Sequence, residues 1–97
     1  MRKNFTKKVH GYVKNIPAGE VRSYGEVAKA CGSAGGARAV GFIMANNFNK
    51  EIPCHRVVRA DGSLGQYNRG GPEAKQAKLE KEGIPFSTAG VIQISHG

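Results

Sequence analysis

Phe5, Val9, Tyr12, Val13 and Ile16 recur at helical spacing, with Lys3, Lys7, Lys8 and Lys14 mainly on the other side. Residues 4–15 therefore read as an amphipathic first helix, stopped by Pro17-Ala18-Gly19. Ser23-Tyr24-Gly25-Glu26 has the form of a capping box, in which the Ser hydroxyl accepts from a free backbone N–H while the Glu reaches back. A second helix follows, with Val27, Ala28 and Cys31 on its apolar side and Gly32 as a natural residue just past its end. Ser33-Ala34-Gly35-Gly36 turns the chain into a third helix, over about 37–46, where Ala37, Val40, Gly41 and Met44 fall at i, i+3, i+4 and i+7. Two short helices joined by a small-residue turn make a helix-turn-helix candidate. Gly35, Ala37, Ala39 and Gly41 are small enough to admit another backbone, either a packed helix or a DNA strand.

The pattern then changes. Residues 52–59 read as a short strand: Pro53 cannot donate to a sheet ladder and fits a first or edge position, and Val57-Val58 favour extended backbone. Asp61-Gly62 marks a tight turn over 60–63, and the Gly-rich stretch 64–71 reads as a flexible wing or loop. Pro72 opens a last helix and Gly83 closes it; Ala74, Ala77 and Leu79 pattern weakly, which predicts a largely exposed helix. Val91-Ile92-Gln93-Ile94 predict an edge strand in the tail. The expected fold is mainly α. It is one winged helix-turn-helix-like domain over 1–97, with its core at about 4–84, a tail over 85–97, and a short β segment carrying Cys54.

Charge narrows the partners. Fifteen Lys and Arg stand against seven Asp and Glu, a net +8 in 97 residues, which fits a polyanion, with nucleic acid first. A generally basic, well-solvated surface gives the same total. No apolar run is long enough to span a membrane, and the N-terminus lacks the apolar core of a signal peptide, so a cytoplasmic monomer is expected, on the nucleoid when bound to DNA. Cys31 and Cys54 make no disulfide framework, and with His10, His55 and His96 far apart in sequence no zinc site or other cofactor is expected.

Ile52-Pro53-Cys54-His55-Arg56-Val57-Val58 carries the candidate chemistry. A thiol is a weak nucleophile until it loses its proton; a neighbouring imidazole can take that proton, and a nearby cation can stabilise the thiolate. Adjacency alone is weak, because a free cysteine is most often a small buried hydrophobe and strand neighbours point to opposite faces.

Taken together, Ser23-Tyr24-Gly25-Glu26-Val27-Ala28, Ala37-Arg38-Ala39-Val40-Gly41, Met44, Asn47, the Pro53-Cys54-His55-Arg56 segment, Gly65-Gln66-Tyr67 and Lys81-Glu82-Gly83 resemble, in order and spacing, one family. It is the C-terminal, DNA-binding domain of the O6-alkylguanine-DNA alkyltransferases, also called methylated-DNA–protein-cysteine methyltransferases. The resemblance implies repair of duplex DNA containing O6-alkylguanine. The damaged base is flipped into a pocket, the alkyl group passes to a cysteine, and the protein is consumed in one turnover. By position, Cys54 is the alkyl acceptor, His55 the base acting through a water, and Glu82 the group that orients His55. Tyr24 contacts the flipped guanine or its phosphate, and Arg38 enters the base stack through the minor groove. Tyr24, Ala37, Arg38, Gly41 and Arg56 form the implied DNA-binding set. Tyr67 and Asn68 lie at the pocket lip, Asn47 ties backbone beneath it, and backbone around Val57 and Cys54 reads the guanine edge.

A relative of another class competes with this reading. Alkyltransferase-like sensors are also short, bind the lesion without removing it, and pass it to excision-repair proteins; their nucleophile position usually holds tryptophan or alanine. Cys54 favours transfer. A regulatory helix-turn-helix protein would explain the charge but leave the Pro-Cys-His-Arg segment unexplained.

Overall fold

The computed structural model describes residues 2–65, 67–87 and 91–92. Gln66, His96 and the Gln93-Ile94 end of the expected edge strand lie outside them. The elements in chain order are α1 (Arg2–Lys14), β1 (Arg22–Ser23), α2 (Tyr24–Ala30), α3 (Ala37–Ala45), β2 (Val57–Val58) and α4 (Gly71–Lys81).

The expected helical stripes build the main core. Val9, Val13 and Ile16 from α1 and the turn after it meet Val27, Ala28 and Cys31 of α2 and its cap, and Val40 and Met44 of α3. Fully burying side chains such as Val9, Val13, Val27 and Val40 contributes roughly 1.5–3 kcal/mol each. The capping box is formed: Glu26 N–H donates to Ser23 Oγ at 3.0 Å, and Ser23 N–H donates to Glu26 Oε1 at 2.9 Å. Gly32, at φ +89°, ends α2 in a Schellman motif, with Ser33 N–H on Ala28 O at 2.8 Å and Gly32 N–H on Lys29 O at 3.1 Å. The α2–α3 pair is the expected helix-turn-helix.

β1 and β2 pair in parallel, Arg22 with Val57 and Ser23 with Val58, so α2 and α3 form the crossover between them. Alternation along β2 sends Val57 into the main core and Val58 into a second cluster with Leu64, Leu79, Ile84 and Ile92.

Three expectations are corrected. The strand over 52–59 shrinks to β2, and Cys54–Arg56 instead form a 3-10 turn. Cys54 N–H donates to Ile52 O at 2.8 Å and Arg56 N–H to Pro53 O at 2.9 Å, so these amides are satisfied within the turn and unavailable to a ladder. Cys54 thus sits on a tight turn leading into the β segment rather than on it. The loop 64–71 is anchored, with Leu64 and Tyr67 buried. Helix α4 is exposed over much of its surface but buries Lys75 and Leu79, four residues apart, on one line. In the tail, Phe86 and Ile92 form a single antiparallel bridge, and Ile92 N–H donates to Gly62 O.

Candidate functional site

The end of α4 is a second Schellman motif. Gly83 has φ +89°, Ile84 N–H donates to Leu79 O at 3.0 Å, and Gly83 N–H donates to Glu80 O at 3.0 Å. This stop holds Glu82, the capping residue, against the 3-10 turn. Glu82 Oε2 lies 2.9 Å from His55 Nε2, across 27 residues of sequence. Arg56 closes on the same carboxylate, with Nε 3.0 Å from Oε1 and Nη2 2.7 Å from Oε2, while its Nη1 donates to Ile16 O at 2.7 Å. The Arg56 guanidinium is the main reason that the Glu82 carboxyl is held down to about 2, with the bond to His55 adding to it. An ionised Glu82 is an acceptor, so His55 carries its proton on Nε2 and leaves Nδ1 as a lone pair. Nδ1 is buried and has no hydrogen-bond partner among the described residues. Burial is the main influence lowering the His55 pKa, against the pull of Glu82, so the ring is neutral at neutral pH.

Cys54, next in the same turn, is 4% exposed. Two other groups are electrostatically coupled to this position. Tyr24 opens α2 and is half-buried; burial pushes its phenol up, opposed by the positive charge of Arg59, and a negative charge at Cys54 raises it further. Lys75 is 1% exposed, and burial brings its ammonium down to about 8, while charge at Cys54 raises it. Lys75 Nζ donates to Leu64 O at 2.5 Å and to Tyr24 Oη at 3.4 Å. Gly65 completes this contact: at φ +72°, a Cβ there would lie 3.0 Å from Tyr24 Oη. The floor of the site is therefore a thiol, a phenol and a buried ammonium, with an oriented imidazole beside the thiol.

Two cavities lie beside this group; Tyr24 lines one of them, and Cys54, His55 and Lys75 line neither. The smaller, about 390 Å³, is lined by Tyr24, Ala37, Arg38, Gly41, Arg59 and Gly65. It brings together four of the five residues expected to face DNA, with Arg38 exposed on α3. The fifth, Arg56, is corrected: its guanidinium turns inward to the partly buried carboxylate of Glu82 and the carbonyl of Ile16. The larger cavity, about 660 Å³, lies under the 64–71 loop and includes Tyr67 and Asn68, as expected of a lip. Asn68 also braces the loop, donating from Nδ2 to Ala45 O and Asn47 O, both at 2.8 Å. Asn47 and Val57 line neither cavity. Asn47 is a buried brace, its Nδ2 on Ile52 O at 3.3 Å and its Oδ1 accepting from Asn49 N–H at 3.1 Å, which fixes the approach to Pro53-Cys54. The Val57 side chain belongs to the core.

Lys75 and Arg59 were not legible as site residues. Lys75 falls in a helix whose apolar pattern is weak because its buried line is made of a lysine and a leucine. Arg59 carries only a charge, which by itself reads as a solvated surface. The second thiol, Cys31, packs in the core, and burial pushes its pKa up.

Residues 4–84 match the family model described as 6-O-methylguanine DNA methyltransferase, DNA binding domain. The methylated-DNA–protein-cysteine methyltransferase of Rattus norvegicus is 43% identical over 84 residues, 84% of this chain and 40% of that protein. Its counterpart from Mycolicibacterium paratuberculosis is 46% identical over 81 residues, 80% of this chain and 47% of that protein. The chain spans less than half the length of these curated relatives. Among solved structures, S. pombe Atl1 in complex with damaged DNA containing O6-carboxymethylguanine gives a TM-score of 0.80 at 29% identity, over 96% of this chain and 90% of that one. Mycobacterium tuberculosis OGT in complex with DNA gives 0.77 at 45% identity, over 81% of this chain and 48% of that one.

Proposed function

This chain belongs to the 6-O-methylguanine DNA methyltransferase family through its DNA-binding domain, and from that membership we propose that it repairs O6-alkylguanine in duplex DNA by one direct transfer of the alkyl group to Cys54. The observation that carries the reading is a buried thiol followed, in the same turn, by an imidazole whose Nε2 is fixed by Glu82 and whose Nδ1 has no partner among the described residues. In this mechanism His55 Nδ1 takes the Cys54 proton through one bridging water. The thiolate attacks the alkyl carbon, an S–C bond forms, and the C–O6 bond breaks with its electron pair leaving on guanine. Tyr24 donates a hydrogen bond to the guanine as this charge develops, with Lys75 behind it holding the phenol. The S–C bond formed is a stable thioether, so each molecule acts once.

The target atom is inaccessible inside the stack, so the base must leave it. In this reading Arg38, exposed on α3 and lining the same cavity as Tyr24, fills the space from the minor groove, and Ala37 and Gly41 let the helix approach the backbone. The basic surface supplies affinity that falls with salt.

The sensor reading keeps one observation in its favour: a fold likeness that covers most of both chains is to Atl1 in complex with damaged DNA. Binding separates the roles of the residues. Cys54→Ala should leave lesion-duplex affinity largely intact, and Arg38→Ala should weaken it. Loss of DNA binding in Cys54→Ala would reassign Cys54 to a structural role.

A further inference from the structure

Arg59 follows β2 directly and lines both cavities, as does Gly65. It is the one charged side chain among the residues described around the larger cavity, where Ser63, Tyr67 and Asn68 supply the neutral polar groups. No carboxylate is described around either cavity. The root of Arg59 is fixed by its own turn, its N–H on Ser63 O at 2.9 Å and its carbonyl accepting from Gly62 N–H at 2.9 Å. Asp61, in that turn, feels the Arg59 charge, but its carboxylate accepts from Ser63 N–H at 2.9 Å and Oγ at 2.7 Å and forms no ion pair with Arg59. Among the described residues the Arg59 guanidinium enters no ion pair. Beneath it, Lys75 adds a second positive charge, and its acceptor Leu64 lines the same cavity.

We propose that Arg59 makes the cleft selective for guanine lesions whose O6 substituent ends in an anion, such as a carboxymethyl group. The inference rests on the reading that the extruded guanine occupies this cleft. A guanidinium can take a carboxylate with two parallel hydrogen bonds, whereas a methyl group gains nothing from it. The cavity of about 660 Å³ leaves room beyond a methyl group. Bound duplex would cover Arg59 and remove the water that otherwise weakens an exposed pair. A gain of roughly five- to tenfold in relative affinity is expected, at most about 1.4 kcal/mol.

The test compares three duplexes of one sequence, carrying guanine, O6-methylguanine or O6-carboxymethylguanine, by competition fluorescence anisotropy. A Cys54→Ala background prevents any alkyl group from moving, and circular dichroism checks that each variant is folded. Arg59→Gln should lower the carboxymethyl-to-methyl affinity ratio by roughly five- to tenfold, and Arg59→Lys should keep part of it. If Arg59→Gln weakens all three duplexes equally, the residue holds a backbone phosphate and the inference is overturned. An unchanged ratio with lesion preference retained overturns it alone. Absence of any lesion preference before Arg59 is changed overturns both it and the reading it rests on.

Discussion

Replacing Glu82 with Gln tests the array that orients His55. The carboxyl sits near 2 instead of 4.5, a difference of about two and a half pH units, and each unit corresponds to 1.36 kcal/mol. Taken at face value that is ~3 kcal/mol, but the group is in contact with solvent and screening cuts the contribution to about 1–2 kcal/mol. Because the folded-state pKa is depressed, the unfolded chain binds more protons between the two values. The stabilisation is therefore complete above about 4.5 and is lost as pH falls toward 2. Glu82→Gln keeps one acceptor oxygen but sets an NH2 donor against Arg56 or His55, so the two-bond carboxylate fork is broken. At pH 7 the variant should be less stable by about 1–2 kcal/mol, lowering Tm by roughly 5–15 °C in a domain of this size. The gap should close when both proteins are melted at pH 3 and below. His55 adds to the gap: burial lowers its pKa and the Glu82 charge opposes that, so charging it as pH falls below 6.5 favours the unfolded chain in both proteins, and more so in the variant until Glu82 itself is protonated. An equal Tm at pH 7, or a gap that persists unchanged to pH 2.5, would refute the reasoning.

Two further predictions follow from single sites. The Lys75 pKa is lowered from 10.5 to about 8 by burial, so the unfolded chain binds more protons in that window, and stability should rise with pH from about 8 until tyrosine ionisation opposes it near 10. Lys75→Met should flatten the rise in urea titrations at pH 7.5 to 10; an unchanged rise would place its cause elsewhere. Gly62 has φ +89°, and a Cβ there would lie 2.3 Å from Ile92 O, a backbone atom. Gly62→Ala should cost about 2 kcal/mol or more by strain and by displacing the tail bridge, read as a lower urea midpoint; a neutral effect would show that the tail does not pack there in solution.

The parts of the fold legible in the sequence were those set by local chemistry. The capping box at Ser23, the left-handed glycines 32 and 83, and the apolar stripe of α1 each act within one or two helical turns. Cys54 and its histidine were equally local. Beyond that range the signal fades. Arg56 was expected to face DNA, yet it turns inward because Glu82 and Ile16 O arrive from 26 and 40 residues away. The contact of Glu82 with His55 came from resemblance alone, since an exposed helical glutamate has the same sequence appearance. The valine pair correctly marked extended backbone, but strand propensity could not show that the Cys54 and Arg56 amides bond to Ile52 and Pro53 carbonyls first. Lys75 was hidden for the opposite reason: a buried lysine breaks the very pattern used to find buried faces.

The central claim is chemical, and intact mass spectrometry tests it most directly. The protein is mixed with a duplex containing one O6-methylguanine, and its mass is compared with that of protein mixed with plain duplex. The account predicts a gain of one methylene unit, localised by peptide mapping to Cys54 and absent in Cys54→Ala. An unchanged mass alongside preferential binding of the lesion duplex would contradict direct transfer and identify the chain as a lesion sensor.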